Sequence, residues 1–289
     1  MKPTSLKSIA LATFGAAILL AAALAEQPRI LVHGHRGARA ERPENTIPAF
    51  EYAIAHGVDV LELDASVTKD NVLVISHDPM LHTPICSGPE NNAVIRTLTL
   101  AEIRQWDCGK MTTPLFPKQQ AVPGTRMPTL DEVFALAPRG NFDFNLETKI
   151  SPKRPELTPS PEEFARLVLE QIRKHKLEKR VILQSFDFRT LVAMRKLAPE
   201  IRLSALTATD QRDFAAIAAE AANAEIVSPQ FQLVTPEKVA AAHKAGIQVV
   251  PWTADKPADW DNLIAAKVDA IISDDPVALL AYLKAKGLH

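Results

Sequence analysis

The strongest constraint on this chain is a rhythm in which short β-rich runs alternate with longer helical ones. The β-rich runs fall at residues 30–35, 59–66, 72–77, 142–148, 181–186, 201–206, 225–228, 247–252 and 269–273. Between most of them lie the helical patterns ENTIPAFEYAIAHG, TLDEVFALA, PEEFARLVLEQIRKHK, FRTLVAMRKLA, QRDFAAIAAEAANA, TPEKVAAAHKAG and ADWDNLIAAK, and PVALLAYLKAKG closes the series. Alternating strands and helices bury best as a parallel sheet covered by helices, which predicts an α/β fold of the TIM (β/α)8 barrel type. Nine strands are one more than such a barrel closes with. The run at 72–77 follows 59–66 after only a few residues around Thr68, Lys69, Asp70 and Asn71. That connection is too short for the helical crossover that parallel neighbours need, so the pair reads as a β-hairpin after strand two, leaving eight βα units.

Residues 82–127 break the rhythm. Pro84, Gly88, Pro89, Gly109, Pro114, Pro117, Pro123 and Gly124 crowd a stretch with one short helical piece, TLAEIRQWD, so it reads as a loop-rich insertion beside the barrel mouth. The other end of the chain carries a different signal. Lys2 and Lys7 precede an apolar run from Ile9 to Leu20, and Ala23-Leu24-Ala25 offers a small-x-small cleavage site. Residues 1–25 therefore read as a secretory signal peptide and 26–289 as one barrel domain, exported to the periplasm or secreted, with no stable membrane span after cleavage. Retention of the run as an anchor is the competing reading. Export permits a bridge between Cys86 and Cys108, 22 positions apart; spacing alone allows either that or two separate buried thiols, and neither sits in a CxxC pair. The net charge of −1 gives no basic footprint for nucleic acid, so an anionic ligand would have to be met locally.

Local chemistry concentrates in three segments. In DVLELDAS, Glu62 and Asp64 are two apart, so both project to one face while Leu61 and Leu63 take the other. Two carboxylates side by side repel, and a hard divalent cation, Ca2+ or Mg2+, would relieve the repulsion; a salt-bridged or solvated strand face is the alternative. Glu147, near the C-terminal end of NFDFNLETK, supplies a third carboxylate where barrels place their active sites, and Lys149 follows on the same face. Asp143 and Asn145 share that alternation as inner-layer residues. His35 ends the first strand, with Arg36 after it and Gly37 permitting a sharp turn. Histidine suits proton transfer near neutrality, and the arginine fork matches two phosphate oxygens. His77 closes the hairpin strand, which brings it alongside Glu62 and Asp64.

Several other residues have structural readings. His33 reads as a barrel-interior histidine. Asn45 or Thr46 caps the following helix, whose first turn suits Pro48, and Glu44 buttresses the site. His56 and His243 sit near helix C-termini, His175 lies on a charged helix face, and His289 is terminal, with no carboxylate partner evident from spacing. Asp275, before Pro276, reads as an N-cap.

The run HRGARAERPENTIPAFEYAIAHGVDVLELDASVTKDNVLVISHD closely resembles the signature region of glycerophosphodiester phosphodiesterases, and the likeness continues through MPTLDEVFAL, NLETK, LQSFD, VVPWTAD and IISDDP. The resemblance implies a phospholipase-C-like barrel in which His35 and His77 act as base and acid, and Glu62, Asp64 and Glu147 hold one divalent cation. It also implies phosphate contacts from Arg36 and Lys149, and a small-molecule glycerophosphodiester cleaved to glycerol 3-phosphate and an alcohol through a cyclic phosphate. Trp252, at the end of the seventh barrel strand, would pack on the glycerol carbons or simply on the rim, and Gln184 and Ser185 would touch substrate or the inner network. The family commonly shows asparagine after WTV, where this chain has Thr253-Ala254-Asp255, so a polar contact from that asparagine does not carry over. A lysophospholipase D-like barrel, with an apolar mouth from Met111 to Phe116, and a non-catalytic phosphodiester-binding barrel are the competing readings.

Overall fold

A computed structural model describes residues 29–289; the expected signal peptide lies outside them. Along the chain come β1 (Leu31–Gly34), α1 (Ile47–Ala55), β2 (Val60–Val67), β3 (Leu73–Ile75), β4 (Met80–Leu81), β5 (Ala93–Val94), α2 (Leu100–Ile103) and α3 (Leu130–Phe134). There follow β6 (Asp143–Thr148), α4 (Pro161–His175), β7 (Val181–Ser185), α5 (Phe188–Leu197), β8 (Arg202–Thr207) and α6 (Phe214–Glu220). The last are β9 (Ile226–Pro229), α7 (Pro236–Lys244), β10 (Gln248–Val249), α8 (Pro257–Ala265), β11 (Ala270–Ser273) and α9 (Pro276–Ala285). Eight parallel strands run in the order β10-β9-β8-β7-β6-β2-β1-β11. The two ends meet through backbone bonds from Asp269 to Val249, Ile272 to Pro251 and Ala254 to Ile272, so the sheet nearly closes as the TIM barrel expected. Pro251 has no N–H to give, which makes this last seam irregular.

The hairpin is also as expected. β3 pairs antiparallel with β2, matching Ala65 with Ile75 and Val67 with Leu73, and the Ser76 N–H donates to the Asp64 carbonyl at 2.8 Å. Asn71 takes the left-handed conformation in the turn (φ 59°), and Thr68 holds it by accepting from the Val72 N–H. Along β2 the outward Leu61, Leu63, Ala65 and Val67 join the main core against the helices, which leaves Glu62 and Asp64 facing the barrel interior. Helices begin repeatedly with a polar cap and a proline: Thr46 caps α1, Ser160 α4, Thr235 α7 and Asp275 α9. Helix ends are shorter than the patterns suggested. Gln211 and Arg212 precede α6 as loop, because Arg212 is held by Asp210 rather than by a helical turn.

The insertion has its own small core, in which Leu81, Ile95, Ile103, Trp106 and Met127 pack around a disulfide between Cys86 and Cys108. That settles the two readings of these cysteines. Its outer arm returns to the barrel rim, where the Arg39 guanidinium lies over Phe116 and Gln119 donates to the Arg39 carbonyl. Met111 and Leu115 remain exposed, so the stretch from Met111 to Phe116 is only partly apolar surface. Among the described residues no helix is long and apolar enough to cross a membrane.

Candidate active site

At the C-terminal ends of the strands lies a cavity of 310 Å3, lined among others by His35, Arg36, Glu62, His77, Glu147, Lys149 and Trp252. Register explains how the carboxylates meet. β2 and β6 pair so that Asp64 sits beside Glu147, with Glu62 two residues deeper on the same face. One oxygen from each of Glu62, Asp64 and Glu147 lies within 4.8 Å of the others, and all three side chains are buried.

Each carboxylate is held by different partners. Glu62 accepts from the Arg36 N–H and from Gln184 Nε2, both at 2.8 Å. The first bond exists because Arg36 adopts φ 51° and Gly37 φ 89°, turning the chain back over β2; a Cβ on Gly37 would meet the Ala49 backbone at 2.8 Å. Asp64 accepts from Asn45 Nδ2 at 2.8 Å. Of the two expected caps for α1 it is Thr46 that serves, and Asn45, also at positive φ, turns toward the site instead. Glu147 pairs with Lys149 Nζ at 2.8 Å, and that ammonium lies 3.7 Å from Asp64. Arg36 is gripped by Glu44 at 2.6 Å and approaches Asp64 at 3.3 Å, while Arg39 holds the other Glu44 oxygen, so Glu44 buttresses the site as expected.

Burial and the two nearby cations act on the trio unequally. Burial, then repulsion from Asp64, pushes the Glu62 carboxyl well above the usual carboxylate range. Burial likewise raises Glu147, although Lys149 opposes it. Burial would raise Asp64 too, but Arg36 and Lys149 outweigh it and hold that group below the ordinary range. One Asp64 oxygen, Oδ1, is buried with no hydrogen-bond partner. Three hard oxygen donors, two of them destabilised as anions and one carrying an orphaned oxygen, fit a divalent cation.

The two histidines are delivered by different elements, His35 after β1 and His77 after β3. His35 continues β1, and its Nδ1 lies 2.5 Å from Asp274, a residue that the sequence reading passed over. Its Nε2 is 3.9 Å from Glu62. Burial lowers the ring below its ordinary value despite the neighbouring Asp274. Asp255, at the position of the family asparagine, accepts from the Asp274 N–H at 2.7 Å and from Ser273, and burial raises it to about 6. His77, at the end of the hairpin, contacts Asp78 through Nδ1 at 2.9 Å.

Other expectations are placed as follows. His33 is buried and meets Asn145 at 3.4 Å, and Asn145 donates to Gln184, so both belong to the inner network. Ser185 is buried and donates to the Thr148 carbonyl. Asp143 lies at the opposite end of β6, paired with Arg202. Regular β10 ends at Val249, but Trp252 still pairs with the chain after β9: its N–H donates to Pro229, its carbonyl accepts from the Phe231 N–H, and its indole donates to Ser228. Phe186, exposed beside it, meets Trp252 edge-on with ring centroids 5.5 Å apart. Three histidines read as unpartnered do have carboxylates: His175 meets Asp131, His243 meets Asp269 and His289 meets Asp59. Those partners come from distant elements, which is why spacing could not reveal them.

A TIM barrel whose mouth sets a buried carboxylate trio beside two histidines, with cations in reach, defines a hydrolase site suited to phosphoric diesters. The model of the glycerophosphoryl diester phosphodiesterase family matches residues 35–278. The chain is 33% identical over 261 residues to a glycerophosphodiester phosphodiesterase from Caldanaerobacter subterraneus subsp. tengcongensis, covering 90% of this chain and 100% of that protein. A putative glycerophosphoryl diester phosphodiesterase from Silicibacter pomeroyi superposes with a TM-score of 0.83 at 31% identity, over 90% of this chain and 95% of that one. An Oleispira antarctica phosphodiesterase, solved in complex with the product sn-glycerol-3-phosphate, shares the fold with a TM-score of 0.76 at 22% identity, over 89% and 97%. The chain belongs to the glycerophosphoryl diester phosphodiesterase family, and it is an enzyme of that class.

Proposed function

We propose that this enzyme hydrolyses small glycerophosphodiesters, such as glycerophosphocholine or glycerophosphoethanolamine, to sn-glycerol 3-phosphate and the free alcohol. The observation that carries this reading is the buried trio Glu62, Asp64 and Glu147, two of which, Glu62 and Glu147, line one cavity with His35 and His77. The trio would hold one divalent cation, Ca2+ or Mg2+, which when bound polarises a phosphoryl oxygen and offsets growing negative charge. Arg36 and Lys149 add donors to the phosphate, the guanidinium with N–H groups beyond those that Glu44 occupies. Trp252 and Phe186 offer an apolar wall to the glycerol carbons.

Proton transfer falls to the histidines. His35, its Nδ1 held by Asp274, takes the proton of the glycerol 2-hydroxyl as that oxygen attacks phosphorus. The bond from phosphorus to the alcohol oxygen breaks, and His77 gives the departing alkoxide a proton. The cyclic phosphate then opens with the roles exchanged: His77 takes a proton from water, hydroxide bonds to phosphorus, and His35 returns its proton to the 2-oxygen. The product bound to the Oleispira antarctica relative is the one this scheme ends on.

The same reading places the protein outside the cytosol, periplasmic or secreted, and the Cys86–Cys108 bridge supports an oxidising compartment. The test is glycerol 3-phosphate release from glycerophosphocholine, with lysophosphatidylcholine as a second substrate, with and without chelator. No turnover with any divalent cation would sink the proposal. Faster cleavage of lysophosphatidylcholine would favour the lysophospholipase D-like reading.

A further inference from the structure

Behind His77 runs a chain of contacts that the proposed scheme does not use. Asp78 presents one carboxylate oxygen to His77 Nδ1 at 2.9 Å and the other to Nε2 of His82 at 2.6 Å. The second His82 nitrogen, Nδ1, lies 3.0 Å from the carbonyl oxygen of Thr83. A carbonyl oxygen only accepts, so Nδ1 must carry a hydrogen. The Nε2 contact then shares one proton between an imidazole and a carboxylate, and the imidazole is the stronger base. Both His82 nitrogens are therefore protonated.

We propose that His82 is a positioning residue, held as an imidazolium, that locks Asp78 onto Nδ1 of His77 and leaves Nε2 of His77 to exchange protons with the substrate. The proposal rests on His77 acting as acid and base in the reaction above. The surroundings agree with it. His82 is less than a third exposed, and the small cavity it lines also contains Glu44, His77 and Asp78, so the titratable groups facing it are two carboxylates and one histidine. Glu44 is itself neutralised by Arg36 and Arg39. Burial opposes a charge on His82, but its bonds to Asp78 and Thr83 outweigh burial and raise it above its ordinary value. Asp78 is held below the usual range chiefly by its bond to His77, with His82 adding to the effect against burial. The anchorage is covalent one step further on: the Cys86 N–H donates to the His82 carbonyl at 2.8 Å, and Cys86 is bridged to Cys108.

This arrangement has a signed consequence. When His82 loses its proton at alkaline pH, Nδ1–H stays on Thr83 and a lone pair on Nε2 turns toward the Asp78 anion. The contact becomes repulsive, Asp78 loses one of its two holds, and the ring of His77 is no longer fixed. Turnover should then fall on the alkaline side through a group that never touches substrate. Glutamine at position 82 can donate to Asp78 at every pH and cannot titrate, so it should move the alkaline limb upward.

The experiment combines spectroscopy with kinetics on the full mature chain. Ring 15N shifts of the histidines, with His82 assigned by its loss in His82→Gln, should show a doubly protonated ring at pH 7. His82→Ala should lower kcat about tenfold with KM within about twofold, and His82→Gln should restore most of kcat while shifting its alkaline midpoint up by about half a pH unit or more. Melting temperatures separate these effects from misfolding. A singly protonated His82 ring at pH 7, or superimposable kcat profiles for all three proteins, would overturn the proposal. If the wild-type chain turned over no glycerophosphodiester at all, the functional reading would fail instead, and the ring shifts would still decide the charge on His82.

Discussion

Nδ1 of His35 and a carboxylate oxygen of Asp274 stand 2.5 Å apart across the meeting point of the first and last barrel strands, although 239 positions separate them in the chain. β1 pairs with β11 in parallel, matching Gly34 with Ser273, and so delivers each residue from the end of its strand. The carboxylate fixes which ring nitrogen carries hydrogen, and in the proposed reaction the other nitrogen is left for the substrate. Asp274→Asn keeps the shape but can present an N–H where an acceptor is needed. It should lower kcat roughly a hundredfold with little change in KM, because the wrong tautomer then faces the cavity. Steady-state kinetics of the purified variant checks this, and a loss under about threefold would remove Asp274 from the mechanism.

The carboxylate trio makes a prediction about metal content. Elemental analysis of the active protein should find one divalent ion per chain, and chelation should abolish turnover reversibly. Asp64→Asn removes the orphaned anionic oxygen and should weaken cation affinity at least about tenfold, measured by titrating the apo-protein. Chelation should also lower the melting temperature, since Glu62 and Glu147 are then left as buried, mutually repelling groups.

Stability should depend on pH through His33. Burial, then Arg202, pushes this ring down to about 3. Below its unfolded value of 6.5 the unfolded chain takes up a proton that the folded one refuses, so the contribution of His33 is full above 6.5 and is lost as pH falls toward 3. Asp255, raised to about 6, acts in the opposite direction over part of that window, so the whole-protein curve mixes the two. The difference between wild type and His33→Asn isolates one of them. Between pH 7 and 4.5 the wild type should lose about 2 kcal/mol more than the variant in urea titrations. Parallel curves would contradict the assignment.

The Cys86–Cys108 bridge closes a loop across a sequence separation of 22 inside the insertion. Chain-entropy arguments value such a closure at about 3 kcal/mol. Cys86→Ala/Cys108→Ala should therefore open residues 82–127 to protease before the barrel, followed by mass spectrometry of the first cuts. Cuts appearing first within the barrel helices would show that the bridge does not protect this segment.

Much of this arrangement is legible in the sequence. Period-two alternation put Glu62 and Asp64 on one face, and a connection too short for a crossover turned the 72–77 run into a hairpin that carries His77 to them. Contacts made across the barrel left no such trace. Asp274 sits beside Asp275, whose place before Pro276 gave it a complete role as a helix cap, and nothing in spacing linked its neighbour to His35. Asn45 was ambiguous for a related reason: asparagine and threonine both cap helices, and only the positive φ at Asn45 sends its side chain to Asp64. VVPW reads as β-rich up to Trp252, but regular β10 ends at Val249, where Pro229 has no N–H for the Val250 carbonyl, and pairing resumes only as a bridge between Trp252 and Gln230.

The hairpin has one last consequence. β3 hangs from β2 and takes no place among the eight barrel strands, and everything from His77 through the disulfide-bridged insertion follows it before the chain rejoins the sheet at β6. His35 is thus part of the frame, while His77 is mounted on a separately fastened arm. Changes in the arm's length or composition can re-aim His77 and reshape the doorway while Glu62, Asp64 and Glu147 keep their register.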